Sequence, residues 1–208
     1  MTENDKQTEE KIFEAATLVF EEKGMDGARM QDIANKAGIN KALLHYYFRT
    51  KDRLFDAVFQ KVAGRMFMKF APVFEKDFTL EEKIRFFFRQ HITFMQENPR
   101  LPAFVLNEIN RNPVRIKKLL KNVDFKKFWS MLEEQHKEEL IKYNITFESI
   151  PQIMTTIAAI SVFPFAARGI LEGIFENLGV DFDKYIEERK EFAADFVISA
   201  LKNKTIKN

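Results

Sequence analysis

Apolar residues recur along this chain every three to four positions, the spacing of one face of an α-helix. Ile12, Ala15, Ala16, Val19 and Phe20 form a first stripe, which Thr8 can cap, with Glu9 and Glu10 in the opening turn, and which Gly24 stops. Met30, Ile33, Ala34 and Ala37 share a face of a second helix ended by Gly38, and Asn40 caps a third in which Leu43, Leu44, Tyr47 and Phe48 recur. Thr50 caps a longer helix from Lys51 towards Pro72. Thr79 and Glu82 make a capping box for a helix whose face is Ile84, Phe87, Phe88, His91, Phe94 and Met95, up to Asn98-Pro99. Proline-marked short helices fill residues 100–121. Residues 123–143 read as a charged amphipathic helix around Phe125, Phe128, Trp129 and Leu132, and residues 149–176 as a mostly apolar helix with Pro164 inside. A last helix from about Asp181 to Lys202 carries Phe192, Ala193, Phe196, Val197, Ala200 and Leu201. The pattern predicts an all-α protein.

Composition narrows the chemistry. The 208 residues suit one or two domains and need no staple to build a core. The absence of cysteine excludes disulfides, thiol catalysis and iron–sulfur ligation, and the three histidines, His45, His91 and His136, are too far apart to form a metal motif. No cofactor or metal is expected. No serine, histidine and carboxylate cluster has recognisable spacing, so no enzyme is expected either. Phenylalanine is in excess, 23 against 4 Tyr and 1 Trp, which implies a large, soft apolar interior. The polar start MTENDKQTEEK lacks the features of a signal peptide, and the apolar run Ile157–Ala167 covers 11 residues, short of the ~20 that cross a bilayer. The expectation is a cytoplasmic protein with no membrane partner, in which that run is a buried helix.

The net charge of +2 is uninformative, but its distribution is not. Residues 1–28 hold three lysines against eight carboxylates, net −5, whereas residues 29–53 are net +4. The basic island covers residues 30–48, where a helix of about eight residues, a turn of about three containing Gly38 and a second helix of about eight follow one another, the arithmetic of a helix-turn-helix. Such a unit lays its second helix in a major groove about 12 Å wide. The spacing alone leaves a second reading open: a helical ligand-binding or enzymatic domain carrying a DNA-silent hairpin.

The segments KIFEAATLVFEEKG, QDIANKAGINKALLHYYF and RTKDRLF resemble the N-terminal domain of the TetR family of bacterial transcription regulators over roughly residues 8–56. Ala15-Ala16, Phe20, Gly24, Asp32-Ile33-Ala34, Ala37-Gly38-Ile39, Leu44, Phe48, Lys51 and Leu54 stand in the family's order and spacing. The resemblance implies a homodimer in which three N-terminal helices form a DNA-binding head and a fourth links it to a larger helical ligand-binding and dimerisation domain. The expected division is 1–53 and 54–208. The implied function is a ligand-responsive repressor of a palindromic operator, with double-stranded DNA and a hydrophobic or aromatic small-molecule effector as partners.

Carried onto this chain, the motif places Asn40, Lys41, Ala42, Leu43, His45, Tyr46 and Tyr47 at or on the groove side of the recognition helix. Lys41 has the length for a guanine edge or a phosphate, Ala42 or Leu43 can meet a thymine methyl, and the tyrosines can donate to phosphate. Lys51 matches a backbone-holding lysine and sits unfavourably for its own helix dipole. The chain departs from the pattern where Ala28 and Arg29 replace a hydroxyl residue before the second helix, leaving Arg29 as a charged substitute, and where His45 replaces a tyrosine. The residues alone also permit Tyr46 and Tyr47 as half-buried packing, His45 as an ordinary exposed residue, and Lys51 and Arg53 as a solvated face.

In the body, Phe87, His91, Phe94, Phe104, Asn107, Trp129, Thr156 and Phe163 are candidates to line an effector pocket, although aromatic stripes at helical spacing also describe plain core. Ile153, Ile157, Ile160, Phe192, Phe196, Val197 and Leu201 are candidates for a four-helix dimer interface, because their segments carry more apolar surface than one core requires.

Overall fold

Each predicted stripe becomes a helix in the computed structural model, which describes residues 3–70, 77–114, 117 and 125–204. Regular structure among the described residues is entirely helical: α1 (Glu3–Gly27), α2 (Met30–Ala37), α3 (Lys41–Tyr47), α4 (Lys51–Phe70), α5 (Leu80–Glu97), α6 (Leu101–Arg111), α7 (Phe125–Lys142), a 3-10 turn (Phe147–Ser149), α8 (Ile150–Ala166), α9 (Arg168–Leu178) and α10 (Phe182–Lys204). Pro72, the expected limit of α4, lies outside the described residues, as do residues 123 and 124 and most of the stretch between Val114 and Phe125 where further short helices are expected.

Two compact units form. The first comprises Met1–Phe67 and Phe104–Ile116, the second Met68–Ala103 and Lys117–Asn208. The first extends past the expected boundary at residue 53 because aromatic packing recruits more chain. Phe55 of α4 meets Phe20 of α1 at 5.1 Å between ring centroids and Phe104 of α6 at 5.6 Å. With Ile12, Ala16, Ile33, Ala34, Leu44 and Leu54 these rings make the core of the unit. Glu10 of α1 ties down α4 through Lys61 and Arg65, and these cations hold its carboxyl below the usual range.

The start of α1 corrects an expectation. Thr8 is no N-cap, because the helix is already formed from Glu3, with Glu3 and Asp5 in the first turn where carboxylates suit the dipole. Gly24 does break the helical geometry as expected, at φ +67°.

The second unit has α5 at its centre, packed on α10 and α8. Phe88, Ile92, Phe94 and Met95 are buried against a core that includes Ile186, Ala193, Ala194, Val197, Ile198 and Leu201. The expected capping box is present: the Thr79 hydroxyl accepts from the Glu82 amide, and Glu82 accepts from the Thr79 amide at 2.8 Å. Helix α7 kinks at His136 (φ −131°, ψ 24°), whose ring nitrogen Nδ1 lies 2.8 Å from Glu139; the same carboxylate accepts the Leu80 amide at the start of α5.

Residues 149–176 form two helices instead of one. Pro164 has no N–H for the Ile160 carbonyl, and the Arg189 guanidinium of α10 supplies the missing donor at 3.1 Å. The chain then turns at Ala167 before α9 begins. Nor is the apolar run a buried helix: of α8 only Ser161, Pro164 and Phe165 are buried, and Phe163 is 59% exposed. The apolar stretch is also longer than the 11-residue run, since residues 147–166 are long and apolar enough, by length and composition, to cross a membrane.

His91 is 6% exposed and stacked on Phe87 at 5.2 Å, and burial lowers its pKa to about 4. An unfolded histidine titrates near 6.5, so the native state resists the proton that the unfolded state accepts. The stabilisation is complete above pH 6.5 or so and is lost as the pH falls towards about 4. Urea unfolding should therefore lose about 2 kcal/mol between pH 7.5 and 5 from this group alone. A His91→Phe variant should show a correspondingly flatter profile; an identical profile contradicts the assignment.

Candidate nucleic-acid interface

The helix-turn-helix is built from local signals. Gly38 adopts the left-handed conformation (φ +67°, ψ 30°), and the Ile39 amide then reaches back to the Ala34 carbonyl at 3.1 Å to close α2. Two residues on, Asn40 starts α3 by accepting the Leu43 amide at 2.7 Å. Leu44 and Phe48 point inward beside Ile33 and Ala34, with Phe13 edge-on to Phe48 at 5.5 Å. Burial of that side turns Lys41, Ala42, Leu43, His45 and Tyr46 outward, Tyr46 to 80% exposure.

The electrostatics of this face are set by what is already paired. Lys23 binds Asp32 at 2.6 Å and Lys36 binds Glu22 at 3.1 Å, which neutralises the flank between α1 and α2. Lys41 and Arg49 form no ion pair among the described residues. Arg29 is exposed and extended at the N-cap of α2 and makes no side-chain capping bond, so the missing hydroxyl is not replaced there. His45 Nδ1 lies 3.3 Å from the Arg49 carbonyl. Six of the nine expected DNA-facing residues are therefore exposed: Arg29, Lys41, Ala42, Leu43, His45 and Tyr46.

The other three are engaged inside the head. The Asn40 side chain is the cap of α3. Lys51 is half-buried, and its ammonium donates to the carbonyls of Asp26 at 3.2 Å and Ala28 at 3.0 Å. Tyr47 is half-buried, and its hydroxyl donates to Asp5 at 3.0 Å; burial first, then this bond, raises its pKa. Sequence reasoning missed Asp5, which lies 42 positions from its partner with no local signal to join them. It also missed a polar cleft lined by Met25, Asp26, Lys51, Asp52, Glu108, Arg111 and Asn112. There the buried Glu108 accepts the Met25 amide at 3.2 Å and Arg111 pairs with Asp26 at 2.9 Å.

The candidate effector residues are only partly brought together. Phe87 and His91 stack, and Phe94 is buried on the same helix. Trp129 packs edge-on to Phe147 at 5.9 Å. Phe104 belongs to the first unit, on Phe55, and Asn107 is exposed there. Phe163 faces outward, and Thr156 lines a shallow groove of about 130 Å³ together with Gln152, Ile153, Phe196, Val197, Ala200 and Leu201. Four of the candidate interface residues border that groove. Phe192 and Phe196 are exposed, while Ile153, Ile157 and Ile160 are half-buried. Val197 and Leu201 are already buried within the subunit, at 5% and 6% exposure.

Residues 12–58 match the family model described as bacterial regulatory proteins, tetR family. The "Probable HTH-type transcriptional regulator YttP" of Bacillus subtilis is 25% identical over 137 residues, 63% of this chain and 66% of that protein. IcaR of Staphylococcus aureus, an HTH-type negative transcriptional regulator of the icaADBC biofilm operon, is 40% identical over 47 residues, 23% of this chain and 25% of that protein. The matches thus span less than two thirds of these curated relatives. The crystal structure of a TetR transcription regulator from Haloarcula marismortui shares the fold at a TM-score of 0.65, covering 93% of this chain and 98% of that one at 19% identity.

The different engagement of the two lysines predicts different stability effects. Lys51→Ala leaves the Asp26 and Ala28 carbonyls without that donor and should cost roughly 1–2 kcal/mol in denaturant unfolding. Lys41→Ala removes an exposed side chain and should stay within about 0.5 kcal/mol of the parent. Equal effects would contradict the geometry.

Proposed function

From the match of residues 12–58 to the tetR family model we propose that this chain is a TetR-family DNA-binding transcription regulator acting in the cytoplasm as a homodimer. The observation that carries this reading is the outward face of α3, with Lys41, Ala42, Leu43, His45 and Tyr46 presented from a turn whose caps and core hold it rigid. Lys41 opens the helix, where side chains of a recognition helix meet base edges, and Arg29 stands at the start of α2 in reach of a phosphate. Tyr47 and Lys51 belong to the same interface, as a phosphate donor and as the residue that positions its flank.

The dimer rests on α8 and α10. Met154, Phe163, Phe192 and Phe196 are between 43% and 62% exposed, which is costly in water and inexpensive against a second copy. A two-fold axis through this face also suits a palindromic operator, because paired recognition helices read half-sites related by the same symmetry. Repression is the reading favoured by the relative described as a negative regulator. The Phe-rich second unit suits a hydrophobic or aromatic effector, with the stacked Phe87 and His91 and neighbouring Phe94 as the starting point for its contacts. Release from DNA requires the effector to prefer the unbound conformation; a shift from 1:99 to 99:1 takes about 5.5 kcal/mol of differential affinity.

Lys41→Ala should weaken binding to a duplex selected by the wild-type protein, while folding and dimerisation persist. If Lys41 meets a phosphate, the loss of one cation per subunit should also flatten the slope of log affinity against log salt by about 2. Full-strength binding with an unchanged slope sinks the assignment of α3. For the dimer, sedimentation should show a wild-type dimer at micromolar concentration, and Phe196→Glu, which sets two desolvated charges near the axis, should give monomers or aggregates. A wild type that stays monomeric at every concentration contradicts this interface.

A further inference from the structure

The single proton of the Tyr47 hydroxyl is committed within the protein. It points to Asp5 across 3.0 Å. A phosphate approaching Tyr47 therefore finds the donor turned away and a carboxylate in its place. The surroundings add to the conflict: residues 3–10 carry Glu3, Asp5, Glu9 and Glu10 against Lys6, net −3, and Asp5 brings this acidic turn against the end of α3. Glu10 is neutralised by Lys61 and Arg65, so the charge that meets the recognition helix through a hydrogen bond is that of Asp5.

We propose that Asp5 is an affinity-setting residue of the DNA interface, an internal competitor that occupies Tyr47 in place of a phosphate and keeps binding weaker than the face of α3 alone would support. This rests on the DNA-binding reading above. Engaging DNA exchanges one anionic acceptor for another at Tyr47, so the new hydrogen bond gains little. The displaced carboxylate is then left beside the phosphate backbone, an unfavourable like-charge arrangement. A regulator that must let go of its operator benefits from such a ceiling, because a smaller effector preference then suffices for release.

The test uses the 208-residue chain and a duplex selected by the wild-type protein from a random library of about 30 base pairs, three helical turns. Fluorescence anisotropy should show Asp5→Ala binding tighter by on the order of tenfold per dimer at low ionic strength, with the gain shrinking as salt screens the charge. Asp5→Asn keeps the shape and an acceptor oxygen but removes the charge, and should gain less than Asp5→Ala. It also serves as the measurement if the alanine variant fails to fold. In a Tyr47→Phe background the gain from Asp5→Ala should fall to the part due to charge alone. Wild-type binding with folded, dimeric Asp5 variants that bind equally or more weakly overturns the proposal and leaves the DNA-binding reading intact. A folded dimer that selects no duplex at all overturns both.

Discussion

Two backbone carbonyls, those of Asp26 and Ala28, end up beside the ammonium of Lys51, and the head depends on that gathering point. A cation in the first turn of α4 works against its own helix dipole, but it lies at the carbonyl end of α1, where a positive charge is welcome. Break and clamp go together: Gly24 lets the backbone leave helical geometry at φ +67°, and the polar groups released around it are taken up by Lys51 on one side and by the buried Glu108, through the Met25 amide, on the other. The end of α1, the start of α2 and the start of α4 are thereby held to one another. Helix α3, only seven residues long and unable to persist alone, inherits its orientation from them.

Presentation of α3 then follows from packing. Leu44 and Phe48 bury one side against Ile33, Ala34 and Phe13, and what remains outside is Lys41, Ala42, Leu43, His45 and Tyr46. Those are the side chains that base edges and phosphates accept. The aromatic pair at the end of the helix is divided by environment: Tyr46 is 80% exposed, while Tyr47 is drawn under by Asp5. In the second unit the logic is reversed. Pro164 costs α8 a hydrogen bond that Arg189 repairs from α10, so these two helices are locked together while much of their outer apolar surface stays uncovered within one chain.

Local chemistry was legible in the sequence. Gly38, Asn40, Thr50 and Thr79 each act within three or four residues of their own position, and each behaves as its type and neighbours dictate. The inward side of α3 was legible for the same reason. What depended on long-range contacts was not: Thr8 looked like a cap because nothing nearby reveals that the acidic turn before it is helical. The bonds Lys51 makes within the head were not legible either, because their acceptors lie 23 and 25 residues earlier. The break at Ala167 follows three residues after the visible proline, and the nearby Gly169 falls inside the next helix instead of at the turn. Burial of Val197 and Leu201, against exposure of Phe192 and Phe196, depends on which side of α10 meets α5, and the apolar count along that helix is silent on the point.

The central claim is that the outward face of α3 meets the major groove, twice, in a symmetric complex. Hydroxyl-radical footprinting of a selected duplex, with stoichiometry measured on the same complex, tests this most directly. The account predicts an even number of protomers per duplex and two equivalent protected patches on one face, their centres separated by a whole number of turns of about 34 Å. A single protomer protecting one patch, or protection spread evenly along the duplex without symmetry, would contradict it.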